Sequence, residues 1–440
     1  MTIKGTIPFD PSCKSKRNEQ NTKSRVINYE SKWLKDNNAA FNYDEMKESL
    51  NLACNWIIKH SLCNNETIDI PKSVHNYNYK YSNWTGVIRE YNAQTREWYV
   101  FGPIWHTGQA IKALVMAYKI LKDKTIIDAA EKCCRFILNA AILNPDKEDF
   151  GMINSQENGE PMVSWTSCML EALDGLISMA ELTGNDKYWD IVINCLVWTQ
   201  RKLFLKEEGL FLDNYNFETG TAYSAPNTLR HGVPGRPLID DAVFLKGYQR
   251  TKNLEFRETF YLTAQRLLDE EYPEGNWIKF PPCDQVGGFL HPRQAYWWGR
   301  PMMMAWQDSG QSEYLKCALR SANWYKKAQR LDGGMFRMTN LDFNTTSYGQ
   351  ATSGILSAAC LWNDLIIAGY EDDYIKPLQQ AIRFGHKMQF KNTADVNLTG
   401  AILEKVLEPN GSDNPPFLIR DLGTIFYIQA LSLTMQNNLL

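Results

Sequence analysis

Residues 347–390 read SYGQATSGILSAACLWNDLIIAGYEDDYIKPLQQAIRFGHKMQF, and this stretch decides the fold. From Ala351 to Leu361 the residues are apolar on all sides of a helix, which is typical of a buried helix. Gly369 is suited to ending that helix, and Glu371 to beginning another. The second half has apolar residues at helical spacing beside a polar face. The stretch therefore predicts a hairpin with one buried helix and one half-exposed helix.

The same pattern recurs along the chain. Apolar residues spaced at i, i+3, i+4 and i+7 mark further helices. Links of a few residues alternate with long links rich in Gly, Pro and aromatic residues. The pattern predicts helices over 43–63, 105–122, 125–143, 164–183, 186–205, 238–252, 255–271, 296–310, 313–330, 348–369, 372–390 and 419–435. These helices and links predict an all-α fold built of six helical hairpins.

The arrangement of the two helix types predicts an (α/α)6 toroid. The first helix of each pair is the more apolar and forms an inner ring, and the second forms an outer ring. The first and last helices of the chain close the ring as a sixth pair. Every long link then lies on one face, above the N-termini of the inner helices. We expect one domain over 43–440 after an N-terminal extension over 1–42. An α-solenoid, the alternative, would need a fixed repeat length, which this chain lacks.

Composition excludes several classes of function. The 440 residues carry a net charge of −3, so no basic stripe is available to bind nucleic acid. No apolar run is long enough to span a membrane, and the N-terminus has no apolar segment typical of a secretory signal. The ten cysteines form no CxxC pair and predict no disulfide framework. We therefore expect a cytoplasmic protein, with no nucleic acid or membrane partner.

No cofactor or metal site is predicted. Asp332-Gly333-Gly334 and Val286-Gly287-Gly288 lack the GxGxxG pattern and the lysine of a phosphate-binding loop. A metal needs about three converging ligands, and His106, His231 and His291 have no close metal-ligand spacing. We interpret the Gly-rich pieces as turns.

Aromatic residues are unusually frequent, with 14 Trp and 21 Tyr, and many lie in the long links. These residues could simply anchor the loops, but the flat faces of their rings also suit stacking against sugars. The inner-helix N-termini would make a cavity between them weakly electropositive. Such a cavity would suit a carboxylate or another anion, beside aromatic rings on which a sugar could stack.

The inner-helix starts carry distinctive residues, and in order and character they resemble those of the six-hairpin glycosidases. The closest resemblance is to the unsaturated glucuronyl and rhamnogalacturonyl hydrolases, over roughly residues 105–435. Leu238-Ile239-Asp240-Asp241 is similar to the helix start that supplies the family's catalytic Asp, which implies this role for Asp240. The chain departs from the family where Ser164-Trp165-Thr166 replaces a second Asp. The other similar starts are Trp105-His106-Thr107-Gly108, Trp298-Gly299-Arg300-Pro301, Tyr348-Gly349-Gln350 and Arg420-Asp421-Leu422-Gly423.

Asp240 and Asp241 are the candidate catalytic residues. Side chains of consecutive helical residues point about 100° apart, so only one of them is expected to face the ring axis. Either may simply cap the helix, since Asp is preferred at that position. In a semi-buried aromatic cleft, the pKa of such a carboxyl group would rise and fit it for general acid catalysis.

Candidate substrate-binding residues cluster at the same predicted face. An arginine there could pair with a substrate carboxylate, although each arginine alone is more often structural. The tryptophans could stack on sugars or pack the inner ring, and the polar residues could bind hydroxyl groups or cap helices. The candidates are Trp105, His106, Trp165, His231, Arg236, Arg293, Trp297, Trp298, Arg300, Tyr348, Gln350 and Asp421.

Four functions remain open from the sequence. The first is a hydrolase that releases a terminal uronyl or related sugar, with Asp240 as the acid. The second is an ordinary two-carboxylate glycosidase, whose second carboxylate would be Glu160, Asp284 or Asp421. The third is a sugar epimerase, which would need His106 and His291 facing each other across the cleft. The fourth is a sugar-binding protein without catalysis.

Overall fold

The computed structural model describes residues 42–68, 77–156, 159–345, 350–404 and 418–440. Almost all of the expected extension over 1–42 lies outside these residues, as does the candidate Tyr348. In the part described, two concentric rings of helices form an (α/α)6 toroid, so the predicted fold is confirmed.

The inner ring contains helices that are buried on almost all sides. In its fifth member every residue from Thr352 to Asn363 is buried, and its last member is buried along almost its whole length. This is the physical reason why these segments lack a polar face. The inner helices are α2 (Pro103–Leu121), α4 (Thr166–Thr183), α7 (Val243–Thr251), the consecutive pair α9 (Gln294–Gly299) and α10 (Pro301–Ser309), α12 (Thr352–Ile367) and α14 (Asp421–Gln436).

The outer helices cover this ring with one face and expose the other to solvent. Short turns lead into them, and the side chains of Asp123, Asn185 and Asn253 each accept a hydrogen bond from the first turn of the helix that follows. The outer helices are α1 (Tyr43–Trp56), α3 (Lys124–Ala140), α5 (Asp186–Leu203), α8 (Leu254–Asp269), α11 (Ser312–Ala328) and α13 (Glu371–Lys387); α6 (Pro226–Arg230) is a short helix within a long link.

The first and last helices of the described chain pack together, as the sequence predicts. Ser49 of α1 and Tyr427 of α14 lie 2.8 Å apart, oxygen to oxygen. Strand pairing supports the same closure, since β8 (Leu418–Ile419) pairs antiparallel with β1 (Glu90–Asn92), which in turn pairs with β2 (Glu97–Tyr99). The sixth hairpin is therefore assembled from both ends of the chain.

Two other small sheets brace the long links on the same face. In the first, β3 (Val163–Trp165) pairs with β6 (Asn214–Asn216), which pairs with β7 (Thr221–Tyr223). The second consists of β4 (Phe204–Leu205) and β5 (Leu210–Phe211). Because β3 ends where α4 begins, the sheet fixes the N-terminus of an inner helix.

Two inner helices differ from the sequence expectation. The helix expected over 238–252 begins only at Val243, because Asp240–Ala242 forms a separate 3-10 turn in which Asp241 and Ala242 have positive φ angles of 50° and 53°. The helix expected over 296–310 starts earlier and is divided at Pro301, whose ring removes a backbone donor. The first departure lies beside the cavity described next, whereas Pro301 lines a second cavity.

Close contact between α2 and α4 depends on glycine. A Cβ atom at Gly108 would lie 2.3 Å from the Cα atom of Ala172, and one at Gly175 would lie 2.2 Å from the carbonyl oxygen of Gly108. Neither helix could accept a side chain at these positions without moving its backbone. Among the described helices, none is both long and apolar enough to cross a lipid bilayer.

Candidate active site

A cavity of about 250 Å³ opens where the N-termini of the inner helices converge. Its walls combine aromatic rings with buried carboxyl and guanidinium groups, and they come from five of the six inner-helix starts. The lining residues are Phe101, Trp105, His106, Trp165, Ser167, Cys168, Glu171, Arg236, Leu238, Asp240, Pro282, His291, Arg293, Trp297, Trp298, Arg420 and Leu422. Larger cavities exist, including an open groove of about 520 Å³ between α8 and α11. Within the described residues, the present cavity collects most of the candidates that the sequence singles out at the helix starts.

Asp240 has the properties of a general acid. It is 3% exposed, and its Oδ2 atom has no hydrogen-bond partner within the described part of the chain. Burial, followed by the negative charge of Asp241, raises its pKa from the usual 3.8 to about 7, while Arg236 and Trp298 oppose this shift. A carboxyl group with such a pKa can hold a proton near neutral pH and still release it.

Glu171 is a second carboxyl group in the cavity, and the sequence analysis did not identify it. It lies more than one turn into α4, away from the helix starts on which that analysis relied. Burial and the charge of Asp240 raise its pKa well above the usual value, while Arg293 opposes the shift. The available signal was an acidic side chain in the largely apolar first half of an inner helix. The other candidate acids contribute less: Glu160 is exposed, and Asp284 accepts hydrogen bonds within its own turn.

Two of the three candidate arginines line the cavity. Arg236 donates to Asp213 at 2.5 Å and to Ser167 at 3.1 Å. Arg293 donates from Nη1 to Ser353 at 2.8 Å. Its Nε atom has no partner among the described residues, although the side chain is buried. Arg293 is thus the arginine with the greatest remaining capacity to donate to a ligand.

Aromatic rings form the walls. Trp105, Trp165 and Trp297 are each partly exposed to the cavity. The His291 ring stacks on Trp297 with centroids 5.1 Å apart and 9° between the planes. Trp298 is only 2% exposed and packs edge-on against neighbouring rings, so its main contacts are structural. The three partly exposed rings are the ones available for stacking on a sugar.

A buried charged cluster lies behind one wall. His106 Nδ1 is 2.6 Å from Asp421 Oδ1, and both side chains are fully buried. Arg420 donates to both carboxylate oxygens of Glu90, at 3.0 and 3.2 Å. Burial raises the pKa of Glu90, and the positive charge of Arg420 opposes this shift. His106 reaches the cavity, whereas Asp421 supports it from behind.

These groups are also the one set within the described residues that could hold a metal ion, since ligand atoms of Glu90, His106 and Asp421 lie within 4.8 Å of one another. The sequence missed this convergence because the three residues are far apart in the chain. Two atoms bound to one ion at ~2.0–2.2 Å would normally lie about 3 Å apart or more. The 2.6 Å separation of His106 Nδ1 and Asp421 Oδ1 is shorter than two ligands of one ion would have.

The remaining candidates lie elsewhere. Asp241 and Arg300 line a different cavity of about 400 Å³, near the C-termini of the inner helices, and Arg300 pairs there with Asp364. His231 Nδ1 lies 3.0 Å from the backbone oxygen of Lys279 and is not among the lining residues. Gln350 is buried and directs its amide toward Met388 and Thr352. The two catalytic candidates thus face different cavities, and only Asp240 faces the aromatic one.

Comparison with known proteins gives the fold a context. The sequence matches no protein-family model and no curated protein. Among solved structures, an unsaturated glucuronyl hydrolase specific for heparin is 12% identical with a TM-score of 0.60, and the match covers 90% of this chain and 99% of that one. Cellobiose 2-epimerase from Spirochaeta thermophila is 13% identical with a TM-score of 0.61, over 89% and 97% of the two chains.

A D-mannose isomerase is equally similar, at 10% identity and a TM-score of 0.60, over 90% of this chain and 99% of that one. Hydrolases, epimerases and isomerases are therefore comparably close in backbone. At such low identity, the likeness extends to the fold and leaves the reaction to be argued from the side chains. The chain has the (α/α)6 toroid fold that these carbohydrate-active enzymes share.

Proposed function

We propose that this protein is a carbohydrate-active hydrolase that releases a terminal uronyl or related sugar from an oligosaccharide. The observation that carries the proposal is Asp240, a buried carboxyl group with a pKa of about 7 and a free oxygen, in an aromatic cavity. A cavity of about 250 Å³ is at the small end for ligand sites, which suits one sugar unit better than a chain.

The charge of the site supports a substrate with a carboxylate. Arg293 retains a free donor, and the surrounding inner-helix N-termini add positive potential. Arg236 is held by Asp213 and would contribute charge more than new hydrogen bonds. A carboxylate placed near Arg293 would gain charge-assisted hydrogen bonds in a site with little water. Trp105, Trp165 and Trp297 would orient the ring by stacking.

For an unsaturated uronyl unit, one carboxyl group suffices. Asp240 would donate its proton to C4 of the enol ether, which leaves positive charge at C5 and on the ring oxygen. The resulting Asp240 carboxylate would then accept a proton from a water molecule that attacks C5. The product is a hemiketal, which opens and releases the remainder of the oligosaccharide. The acid is thereby regenerated without a covalent intermediate.

Two alternatives each rest on a specific observation. Glu171 lies in the same cavity and interacts electrostatically with Asp240, as the two carboxyl groups of an ordinary glycosidase would. His106 and His291 both line the cavity, and His106 is backed by Asp421, an arrangement suited to proton transfer in an epimerase. Both alternatives retain a sugar substrate.

The three functions are separated by a substrate screen on purified protein. Unsaturated uronyl disaccharides would be followed by loss of the C4=C5 absorbance, saturated aryl glycosides by release of the aryl alcohol, and free sugars by chromatography of epimers. The proposal expects turnover in the first assay, with no more than background in the third. Turnover of saturated aryl glycosides alone would favour the pair of Asp240 and Glu171. Epimerisation alone would favour the two histidines.

A further inference from the structure

The turn that carries Asp240 is strained. Asp241 has φ 50° and ψ 12°, and Ala242 has φ 53° and ψ 34°, so two consecutive residues with a Cβ atom adopt the left-handed conformation. Each such residue costs roughly 1–2 kcal/mol, and the conformation persists only where the surroundings hold it. Two backbone hydrogen bonds close the turn, from Ala242 N to Ile239 O (2.9 Å) and from Val243 N to Asp240 O.

The side chains of Lys112 and Gln109 hold the turn by donating hydrogen bonds to the carboxylate of Asp241. Its Oδ1 atom accepts from Lys112 Nζ at 2.5 Å, and its Oδ2 atom accepts from Gln109 Nε2 at 3.0 Å. Both donors come from α2, and all three side chains are largely buried. Lys112 also pairs with Asp174 of α4 at 2.9 Å. The turn is thus tied to two other inner helices.

The donors are themselves held in place. Gln429 of α14 donates to both the backbone oxygen and the side-chain oxygen of Gln109. Lys246 of α7 pairs with Asp174 from the other side. Burial alone would lower the pKa of Lys112, but Asp174 and Asp241 hold it well above its usual value, so the ammonium group stays charged. The anchor is therefore a connected network, which is harder to displace than one exposed ion pair.

We propose that Asp241 is a positioning residue, whose anchoring by Lys112 and Gln109 holds the strained turn and aims the Asp240 carboxyl group into the aromatic cavity. The inference rests on the proposed role of Asp240 as the acid. It explains why consecutive carboxylates face opposite cavities: one reacts and the other fixes the backbone between them. A shift of about 1 Å in a reacting group can lower the rate about 100-fold, so such an anchor bears directly on turnover.

The anchored Asp241 has a second effect, because its charge changes the pKa of Asp240. The groups that act on Asp240 are the carboxyl groups of Asp241 and Glu171, the guanidinium group of Arg236 and the indole of Trp298. The charge of Asp241 raises the pKa of Asp240, and Lys112 lies against that charge. Removing the negative charge of Asp241, in the variant Asp241→Asn, should lower the pKa of Asp240. The high-pH limb of the activity profile should therefore move to lower pH.

The test compares Asp241→Asn, Ala242→Gly and the double variant with a matched control, Asp364→Asn. Asp364 borders the cavity of about 400 Å³ that Asp241 also lines, but it pairs with Arg300 and does not contact the turn. We expect Asp241→Asn to lower kcat about 10- to 100-fold with KM changed less than threefold. Glycine tolerates the left-handed conformation, so Ala242→Gly should restore at least a third of kcat to Asp241→Asn. Asp364→Asn should keep its kcat within twofold of the wild type.

Stability provides a readout that does not depend on the substrate. Ala242→Gly should raise the thermal midpoint of Asp241→Asn by more than it raises that of the wild type, because strain is relieved where the anchor is lost. If Asp241→Asn keeps its kcat at its pH optimum, or if the two substitutions are additive in both kcat and midpoint, the positioning role is refuted. If no substrate is turned over but the midpoints are coupled, the positioning inference survives and the proposed function fails.

Discussion

Replacing Arg293 by glutamine should selectively weaken the binding of charged substrates. Arg293 is 8% exposed, and its Nη1 atom is already used by Ser353, which leaves Nε for a ligand carboxylate. A hydrogen bond to a charged group contributes about 1.5–3 kcal/mol. The expected rise in KM for a uronyl disaccharide is therefore about 12- to 160-fold, with a much smaller change in kcat.

Two comparisons make this prediction specific. The first is a neutral sugar of the same size, for which Arg293→Gln should change KM less than threefold. The second is the variant Arg300→Gln. Arg300 pairs with Asp364 in the other cavity, of about 400 Å³, so its replacement should leave KM for the uronide unchanged. Initial rates over a range of substrate concentrations give both constants. Equal effects of the two variants, or an equal effect on neutral and charged sugars, would refute carboxylate binding by Arg293.

Three further predictions follow from the site and the ring. Because Asp240 must be protonated to act, kcat/KM should be constant at low pH and fall tenfold per pH unit above about 7; a profile that rises there would contradict the acid role. Trp297→Ala should raise KM about 2- to 12-fold for charged and neutral sugars alike, and an effect on charged sugars only would argue against stacking. Gly108→Ala should lower the free energy of unfolding by about 1–3 kcal/mol in a denaturant titration, because its Cβ atom would lie 2.3 Å from Ala172 Cα; an unchanged value would show that the helices can separate without cost.

The sequence was sufficient to predict the toroid for two reasons. The pattern of apolar residues distinguishes buried inner helices from half-exposed outer helices, and the alternation of short and long links groups the helices into hairpins. An inner helix such as 352–367 must be apolar on all sides, and an outer helix such as 371–387 needs only one apolar face. The alternation of the two therefore also predicted which ends of the inner helices would converge. Their N-termini were the positions where candidate residues were sought, and most of the lining residues were found there.

The sequence could not predict which side chains reach the cavity from within an inner helix, or which cavity a side chain at a helix start faces. Glu171 was missed because it reaches the cavity from within α4, and helix starts alone carried the argument. Asp240 and Asp241 face different cavities because Asp241 and Ala242 adopt the left-handed conformation, and no local sequence pattern predicts that conformation. Arg300 lies at the predicted helix start, but it lines the second cavity, where it pairs with Asp364. The convergence of Glu90 and His106 with Asp421 joins distant parts of the chain, which a single sequence does not reveal.

The acidity of Asp240 can also be measured without a substrate, from the pH dependence of stability. A carboxyl group whose pKa is raised in the folded state stabilises the fold at low pH, and this contribution is lost between the unfolded and folded pKa values. For Asp240 the window runs from about pH 3.8 to about pH 7. The wild type should therefore lose up to about 4 kcal/mol relative to Asp240→Asn across this window. Parallel stability curves for the two proteins would contradict the raised pKa.

The most direct test of the central claim is the turnover of an unsaturated uronyl disaccharide by the wild type and by Asp240→Asn. Asparagine keeps the volume of the side chain and removes its acidic proton, so the fold should be retained, as checked by circular dichroism and the thermal midpoint. The C4=C5 absorbance should disappear with the wild type, and the rate should fall at least about 100-fold in the variant, as for the loss of a general acid. Turnover by Asp240→Asn above a tenth of the wild-type rate would contradict the claim that Asp240 is the acid.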